Sequence, residues 1–246
     1  MRQVTIALVA ALAMIAPARL HGWGFEAHQF VMSRAIDQLP AEIRPFFDAN
    51  RPFIVEHTLD PDLWRLVGFT EESPHHFLDI DAYGAYPFND LPRDYDRALE
   101  KHGFETLSKN GLLPWRTAEV MGWLRRAFVE MAKNPSRVTD VKLFSAVLGH
   151  YVSDGHVPFH AVVNYDGQLT GQTGIHARWE SELFRRYQFG RSRTSETSCS
   201  KRCSPVSNWF RASSKPIAKR LARAMNMTTG TLTSSLRQHG RRWSVG

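Results

Sequence analysis

The sequence predicts an all-α protein built as a single multi-helix domain, and three observations carry that expectation. Apolar residues recur at three- and four-residue intervals in several segments, the period that lays one face of a helix against a core. Pro, Gly and Asp gather between those segments, as at 79–90 and 164–174, where they interrupt helices. No run alternates apolar and polar residues as a half-buried strand does, and there is no internal repeat. A chain of 246 residues, 43% hydrophobic and 22% charged, has the length and composition of one soluble domain with a sizeable core.

Residues 1–22 are expected to be a secretory leader rather than part of the fold. Arg2 gives a positive start, an apolar run follows from Val4 to Ala16, and small residues lead to Gly22. That run is too short to span a bilayer. Two cleavage points compete, one at Ala16-Pro17-Ala18 and one at Leu20-His21-Gly22.

The domain proper is read as 23–190. Residues 25–39 carry Phe25, Phe30 and Ile36 at helical spacing and stop before Pro40. Residues 94–107 form a polar helix that ends near Asn110-Gly111. In 117–132, Val120, Leu124 and Phe128 make one stripe, closed by Asn134-Pro135. Residues 139–153 place Val141, Phe144, Val147, Leu148 and Val152 on a face predicted to be buried, and 176–187 is the last helix expected.

The chain changes character after Gly190. Residues 191–246 hold 12 Lys/Arg against the single acid Glu196, and 17 of these 56 residues are Ser or Thr. Residues 23–190 hold 17 Lys/Arg and 23 Asp/Glu. The net charge of +7 therefore belongs to the tail, and nucleic-acid binding by the body does not follow from it. A short basic amphipathic helix is possible at 217–225, but the rest lacks the apolar density of a core. Three readings stand: a solvated basic tail, an arm that binds membrane or nucleic acid, and a shifted reading frame. Both cysteines, Cys199 and Cys203, lie there too, close enough to close only a small loop.

The 11 histidines raise the question of metals. His150 and Asp154 are four residues apart in a helical pattern, so their side chains leave one face. Pro158 then breaks the helix and lets His160 turn back towards the same region. His176 and Glu180 repeat the four-residue spacing on the next helix. Either pair alone is equally a helix-surface contact. Two pairs with His160 between them point to metal, since imidazole and carboxylate are ligands that zinc accepts. Upstream candidates are Trp23 and His28 in Trp23-Gly24-Phe25-Glu26-Ala27-His28, Asp62 in Asp60-Pro61-Asp62, and His76 in His75-His76-Phe77-Leu78-Asp79.

Together these residues resemble the superfamily that joins bacterial zinc-dependent phospholipase C to the fungal and plant single-strand-specific zinc nucleases. The resemblance spans roughly residues 23–187 and implies a mostly helical domain around three Zn2+ ions. It implies that Trp23, through its α-amino nitrogen and carbonyl oxygen, holds one ion with His28 and Asp154. His76, His150 and Asp154 hold a second, with Asp62 as a further ligand or as the general base, the one catalytic role assigned. His160, His176 and Glu180 hold the third. It also favours cleavage before Trp23, because only a free α-amino group ligates a metal. Asp79 is a candidate for orienting a ligating imidazole. His21, His57, His75, His102, His156 and His239 receive no role.

The resemblance implies an exported or periplasmic monomer that hydrolyses phosphodiesters, with a zinc-bridging hydroxide attacking phosphorus in line. The spacings Trp23-x4-His28 and His150-x3-Asp154-x5-His160 look like the nucleases. Glu180, where the nucleases usually carry Asp, and the short interval from His160 to His176 look like phospholipase C, and the body lacks the nucleases' cysteines. Phospholipid is the favoured substrate, with transient contact at a membrane surface, and single-stranded nucleic acid is the alternative. An inactive or truncated zinc-binding relative is a third reading.

Overall fold

In a computed structural model of the chain, residues 24–187 are described. The expected leader, Trp23 and the basic tail lie outside them. Every regular element among the described residues is helical, as the spacing of apolar residues requires.

Helix α1 spans Phe25–Asp37 and buries Ala27, His28, Met32 and Ile36. Phe30, expected on the buried side, is exposed and meets Phe184 edge-on at 5.4 Å. Three short helices follow that the apolar periodicity did not reveal: α2 (Arg44–Ala49), α3 (Arg51–His57) and α4 (Asp60–Leu66). Each has proline in its first turn, Pro45, Pro52 and Pro61. The ring presets φ there, and its missing N–H is one the helix would have left unpaired anyway. Proline at these places opens a helix rather than ending one.

A 3-10 segment at Thr70–His76 leads into an extended connection and a second 3-10 turn at Ile80–Tyr83. The single helix expected over 94–107 is two helices, α5 (Tyr95–His102) and α6 (Phe104–Asn110). Gly103 separates them at φ 75°, a conformation open to glycine and costly for other residues. Asp94 opens α5 by accepting the Arg97 backbone N–H at 3.1 Å.

Helices α7 (Leu113–Lys133) and α8 (Val138–Asp154) form a hairpin across Pro135–Arg137. Helix α7 begins a turn earlier than predicted because Pro114 sits in its first turn. Leu113 and Val120 pack there against Val147 and Tyr151, with Trp64, Trp123, Leu143 and Leu148 around them. Val152, expected to be buried, is 38% exposed. The face of α8 that turns inward ends instead in polar residues: Ser145, His150, Ser153 and Asp154.

A second cluster joins Met32 and Ile36 of α1, Phe47 of α2 and Ile54 of α3 to Ala146 of α8. A third gathers Leu78, Ile80, Tyr83, Phe88 and Leu91 with Ala98, Leu107 and Leu112. The last helix, α9, starts as Ile175–Ala177, widens into a π turn over Arg178–Leu183 and ends as Phe184–Tyr187. Two of the apolar clusters draw on α8, through Ala146 in one and Val147 and Tyr151 in the other, and buried polar side chains gather at its C-terminal end.

Candidate metal centre

Asp154 closes α8 and is completely buried. Burial alone would raise its pKa, but His150 and His160 outweigh burial and hold the carboxyl well below the usual range. One oxygen, Oδ2, lies 3.0 Å from His76 Nδ1 and 3.2 Å from His150 Nε2. The other, Oδ1, lies 3.5 Å from both His28 Nε2 and His160 Nδ1. A single carboxylate thus stands among imidazoles delivered by α1, the segment before Phe77, α8 itself and the 3-10 turn Pro158–Ala161.

Each contributor has a local reason for its position. The four-residue spacing on α8 brings His150 beside Asp154. Pro158 starts a 3-10 turn after α8, and the Leu78 N–H donates to the His160 carbonyl at 2.8 Å. That bond ties the His160 turn to the connection that carries His76. On the first helix, His28 rides the inward stripe of α1. Asp62 faces inward from α4 and is held by Arg65 at 2.7 Å; it reaches within 3.7 Å of His76 Nδ1. Burial raises its pKa.

His176 and Glu180 meet at 2.9 Å, and Glu180 Oε1 is also 3.2 Å from His160 Nε2. The carboxyl of Glu180 sits in the π turn, an irregularity that often marks functional positions. Burial pushes its pKa up, and the imidazoles of His160 and His176 more than reverse that. Asp166 anchors the start of this helix by accepting the Gly174 N–H at 2.9 Å and the His176 N–H at 3.3 Å.

Two of the imidazoles are fixed from outside the cluster. His150 Nδ1 donates to the Thr58 carbonyl at 2.8 Å, and His28 Nδ1 pairs with Ser153 Oγ at 2.8 Å. Such partners set the tautomer and aim the other nitrogen inward. Burial and the neighbouring imidazoles hold His28 far below its ordinary pKa. For His150, burial is opposed and outweighed by Asp154, so its pKa is raised.

These contacts leave ligand atoms over. His28 Nε2, Asp154 Oδ1, His160 Nδ1 and both oxygens of Glu180 are buried without a hydrogen-bond partner. Buried polar atoms are normally paired, so a converging set that is not is a feature of ion sites. Three groups can hold a metal ion: His28/His150/Asp154, Asp62/His76/His150 and His160/His176/Glu180. Within each, the ligand atoms lie within 4.8 Å of one another, and every residue is buried. The donor chemistry fits a divalent transition metal such as zinc.

No family model matches the chain, and no curated protein or solved structure matches it. The arrangement has to be read from its own geometry.

All the sequence candidates among the described residues come together here. Trp23 lies outside them, but Gly24 is packed so closely that a Cβ on it would lie 2.8 Å from Ser181 Oγ and 3.7 Å from the Glu180 carbonyl. Asp79, considered for orienting an imidazole, leaves Oδ1 without a hydrogen bond, and Thr58 and Ser153 do that work instead. The remaining described histidines make local contacts, His57 with Asp60 at 2.8 Å and His156 with the Val152 carbonyl at 2.7 Å among them. Sequence reasoning passed over Thr58, Ser153, Glu72, Tyr151 and Arg116. A signal existed for Glu72, which stands four residues before His76.

Proposed function

We propose that this chain is an exported phosphodiester hydrolase that holds three zinc ions and acts on phospholipid in the manner of phospholipase C. The observation that carries the reading is Asp154, whose two oxygens face different imidazoles, the arrangement expected of a carboxylate shared between two ions. Closely spaced sites of this kind suit a substrate with several oxygens around one phosphorus.

When bound, zinc supplies Lewis acidity and a water acidic enough to act as a nucleophile near neutral pH. His28 and Asp154 would hold one ion with Trp23. His76, His150 and the same Asp154 would hold the second, with Asp62 as a further ligand or the base, and His160, His176 and Glu180 the third. Asp62, tethered by Arg65 and buried, can accept a proton at the edge of the cluster, and its raised pKa suits that task. The candidate ligands among the described residues are all buried, and low-dielectric surroundings strengthen electrostatic contacts.

Exposed apolar residues next to Asp62 favour a lipid. Leu63 and Leu66 of α4 are exposed, and Val67 and Phe69 just beyond are 74% and 60% exposed. Apolar surface grouped beside a site marks contact with lipid or a partner. No helix among the described residues is long and apolar enough to cross a membrane; the contact would be at a surface. The apolar run after Arg2 supports export.

A nuclease reading is favoured by a different observation. Phe159 lies 5.7 Å from His176 and 6.2 Å from Trp179, and Tyr165 lies 6.2 Å from His176. Trp179 and Tyr165 are exposed, and exposed aromatics stack bases. Elemental analysis of the purified chain, followed by turnover of bis-p-nitrophenyl phosphate, tests the common proposal. Phosphatidylcholine vesicles against single-stranded DNA then separate the substrates. Tightly held zinc without turnover would leave only a metal-binding protein.

A further inference from the structure

We propose that Glu72 is a positioning residue for His76, fixing which ring nitrogen that histidine turns towards the metal centre. The inference rests on the metal-binding reading and goes beyond it, because Glu72 belongs to none of the three ligand groups.

The geometry is specific. His76 Nδ1 faces the centre, 3.0 Å from Asp154 Oδ2 and 3.1 Å from His150 Nε2. Its other nitrogen, Nε2, is buried without a hydrogen-bond partner, and 3.7 Å away stands Glu72 Oε1. Both side chains leave the same short 3-10 segment, Thr70–His76, and both are buried against the centre. His28 and His150 each have an outer partner already. His76 lacks one unless Glu72 supplies it, with Nε2–H donating and Nδ1 left as the ligand atom.

Glu72 is itself held from several directions. The Tyr151 hydroxyl donates to Oε1, and Arg116 lies 3.6 Å from Oε2. His75 Nδ1 is 3.2 Å from the same oxygen. Arg116 also donates from Nε to the Tyr151 hydroxyl at 3.3 Å and lies over the Trp123 ring at 4.9 Å. Tyr151 directly follows the ligand His150, and its ring is set edge-on to His76 and His150 at 5.9 and 5.6 Å. Arg116 of α7 and Tyr151 of α8 thereby carry the rigidity of the hairpin to a segment of 3-10 backbone. A simple structural bridge would account for Arg116 and Tyr151. It would not account for the placement of Oε1 opposite His76 Nε2, a buried nitrogen on the side of the ring away from Asp154 that makes no hydrogen bond.

The test uses the full chain, with zinc as the probe and chelator competition to resolve successive affinities. Glu72→Gln keeps the volume and removes the charge, and it should weaken one zinc ion by about 10- to 100-fold and leave another at its wild-type affinity. Ring 15N shifts of His76 in the zinc-loaded protein should show a protonated Nε2 in the wild type, with faster exchange of that proton in the variant. Tyr151→Phe, which removes only a hydroxyl, should give a smaller loss in the same ion and covers the case in which Glu72→Gln does not fold. A folded variant with lowered thermal stability but unchanged zinc affinities and His76 shifts would show a structural bridge only and overturn the inference. Failure of the wild type to bind zinc would overturn the metal reading itself.

Discussion

His28 of α1 and His150 of α8 are stacked face to face, their ring centroids 4.0 Å apart and their planes 15° from parallel. Each is fixed by an outer partner, Ser153 Oγ for one and the Thr58 carbonyl for the other. Their inner nitrogens fall on different oxygens of Asp154, at 3.5 Å from Oδ1 and 3.2 Å from Oδ2. The stack therefore presents its nitrogens to both edges of one carboxylate, and substitution of the carboxylate should be felt more widely than substitution of a ring. Asp154→Asn is expected to remove at least two equivalents of zinc, and His28→Ala no more than one. Elemental analysis of both variants after dialysis checks this, and equal losses would contradict a bridging Asp154.

Much of this centre was legible in the sequence because its members lie on regular elements. His150 with Asp154, and His176 with Glu180, stand at a spacing that helices convert directly into proximity. The helix boundaries were read less well where proline opens a helix, as at Pro45, Pro52, Pro61 and Pro114. Proline stops a helix from within but suits its first turn, so the same residue carries opposite meanings. The break at Gly103 was missed because the polar pattern runs on across it. The outer partners were not legible at all when they are backbone atoms: no side-chain pattern announces that the carbonyl of Thr58 will meet His150, 92 positions away. Val152 was misplaced because the end of α8 buries His150 and Asp154, and a polar centre takes the position that a periodic apolar stripe would claim.

Gly111 couples the fold to the centre through Phe77. It adopts φ 97°, and a Cβ there would lie 2.1 Å from the Phe77 carbonyl oxygen. That carbonyl accepts the Leu113 N–H at 3.1 Å, while the Leu112 N–H donates to the Pro74 carbonyl at 2.6 Å. The backbone flanking His76 is thus held against the start of α7. Gly111→Ala combines an unfavourable φ with a clash against backbone, which cannot move aside as a flexible side chain can. It should cost at least about 2 kcal/mol and weaken zinc binding at Asp62/His76/His150. Thermal melts with and without zinc measure both. By contrast, Gly149→Ala meets the mobile end of Met32 and should cost less.

Asp79 gives the fold a pH dependence of defined sign. Burial, helped by Asp81 and opposed by His160, raises its pKa from 3.8 to about 6. Below about pH 4 the carboxyl is protonated in both folded and unfolded chains and has no effect. Between that pH and about 6 the unfolded chain ionises while the folded one resists, so the folded state loses stability as pH rises. Above about 6 the loss is constant. Asp79→Asn removes the ionisation, so the variant should gain thermal stability relative to the wild type as pH rises through this window and keep the gain at neutral pH. Melting temperatures of metal-free protein from pH 3.5 to 8 test the sign. A gain that shrinks as pH rises would contradict it.

Asp166 offers a way to loosen one ion site without touching a ligand. Its carboxylate is buried and accepts the backbone N–H groups of Gly174 and His176, so it fixes the start of α9 from which His176 and Glu180 project. Its own backbone N–H is held by Gln168 at 2.9 Å, and Gln168 donates in turn to the Val163 carbonyl at 2.7 Å. The loop is thus tied to the helix it launches. Asp166→Ala leaves two amide donors unsatisfied, at a cost of about 1–3 kcal/mol. The effect should fall on the ion held by His160, His176 and Glu180, because the other two groups are anchored on α1, α4, α8 and the 3-10 segment Thr70–His76. Asp166→Asn keeps one acceptor oxygen and should give a milder loss at the same site. Competition titrations that resolve each zinc ion, run beside thermal melts, provide the check. A uniform weakening of all three ions would mean that Asp166 supports the whole domain rather than this one corner of the centre.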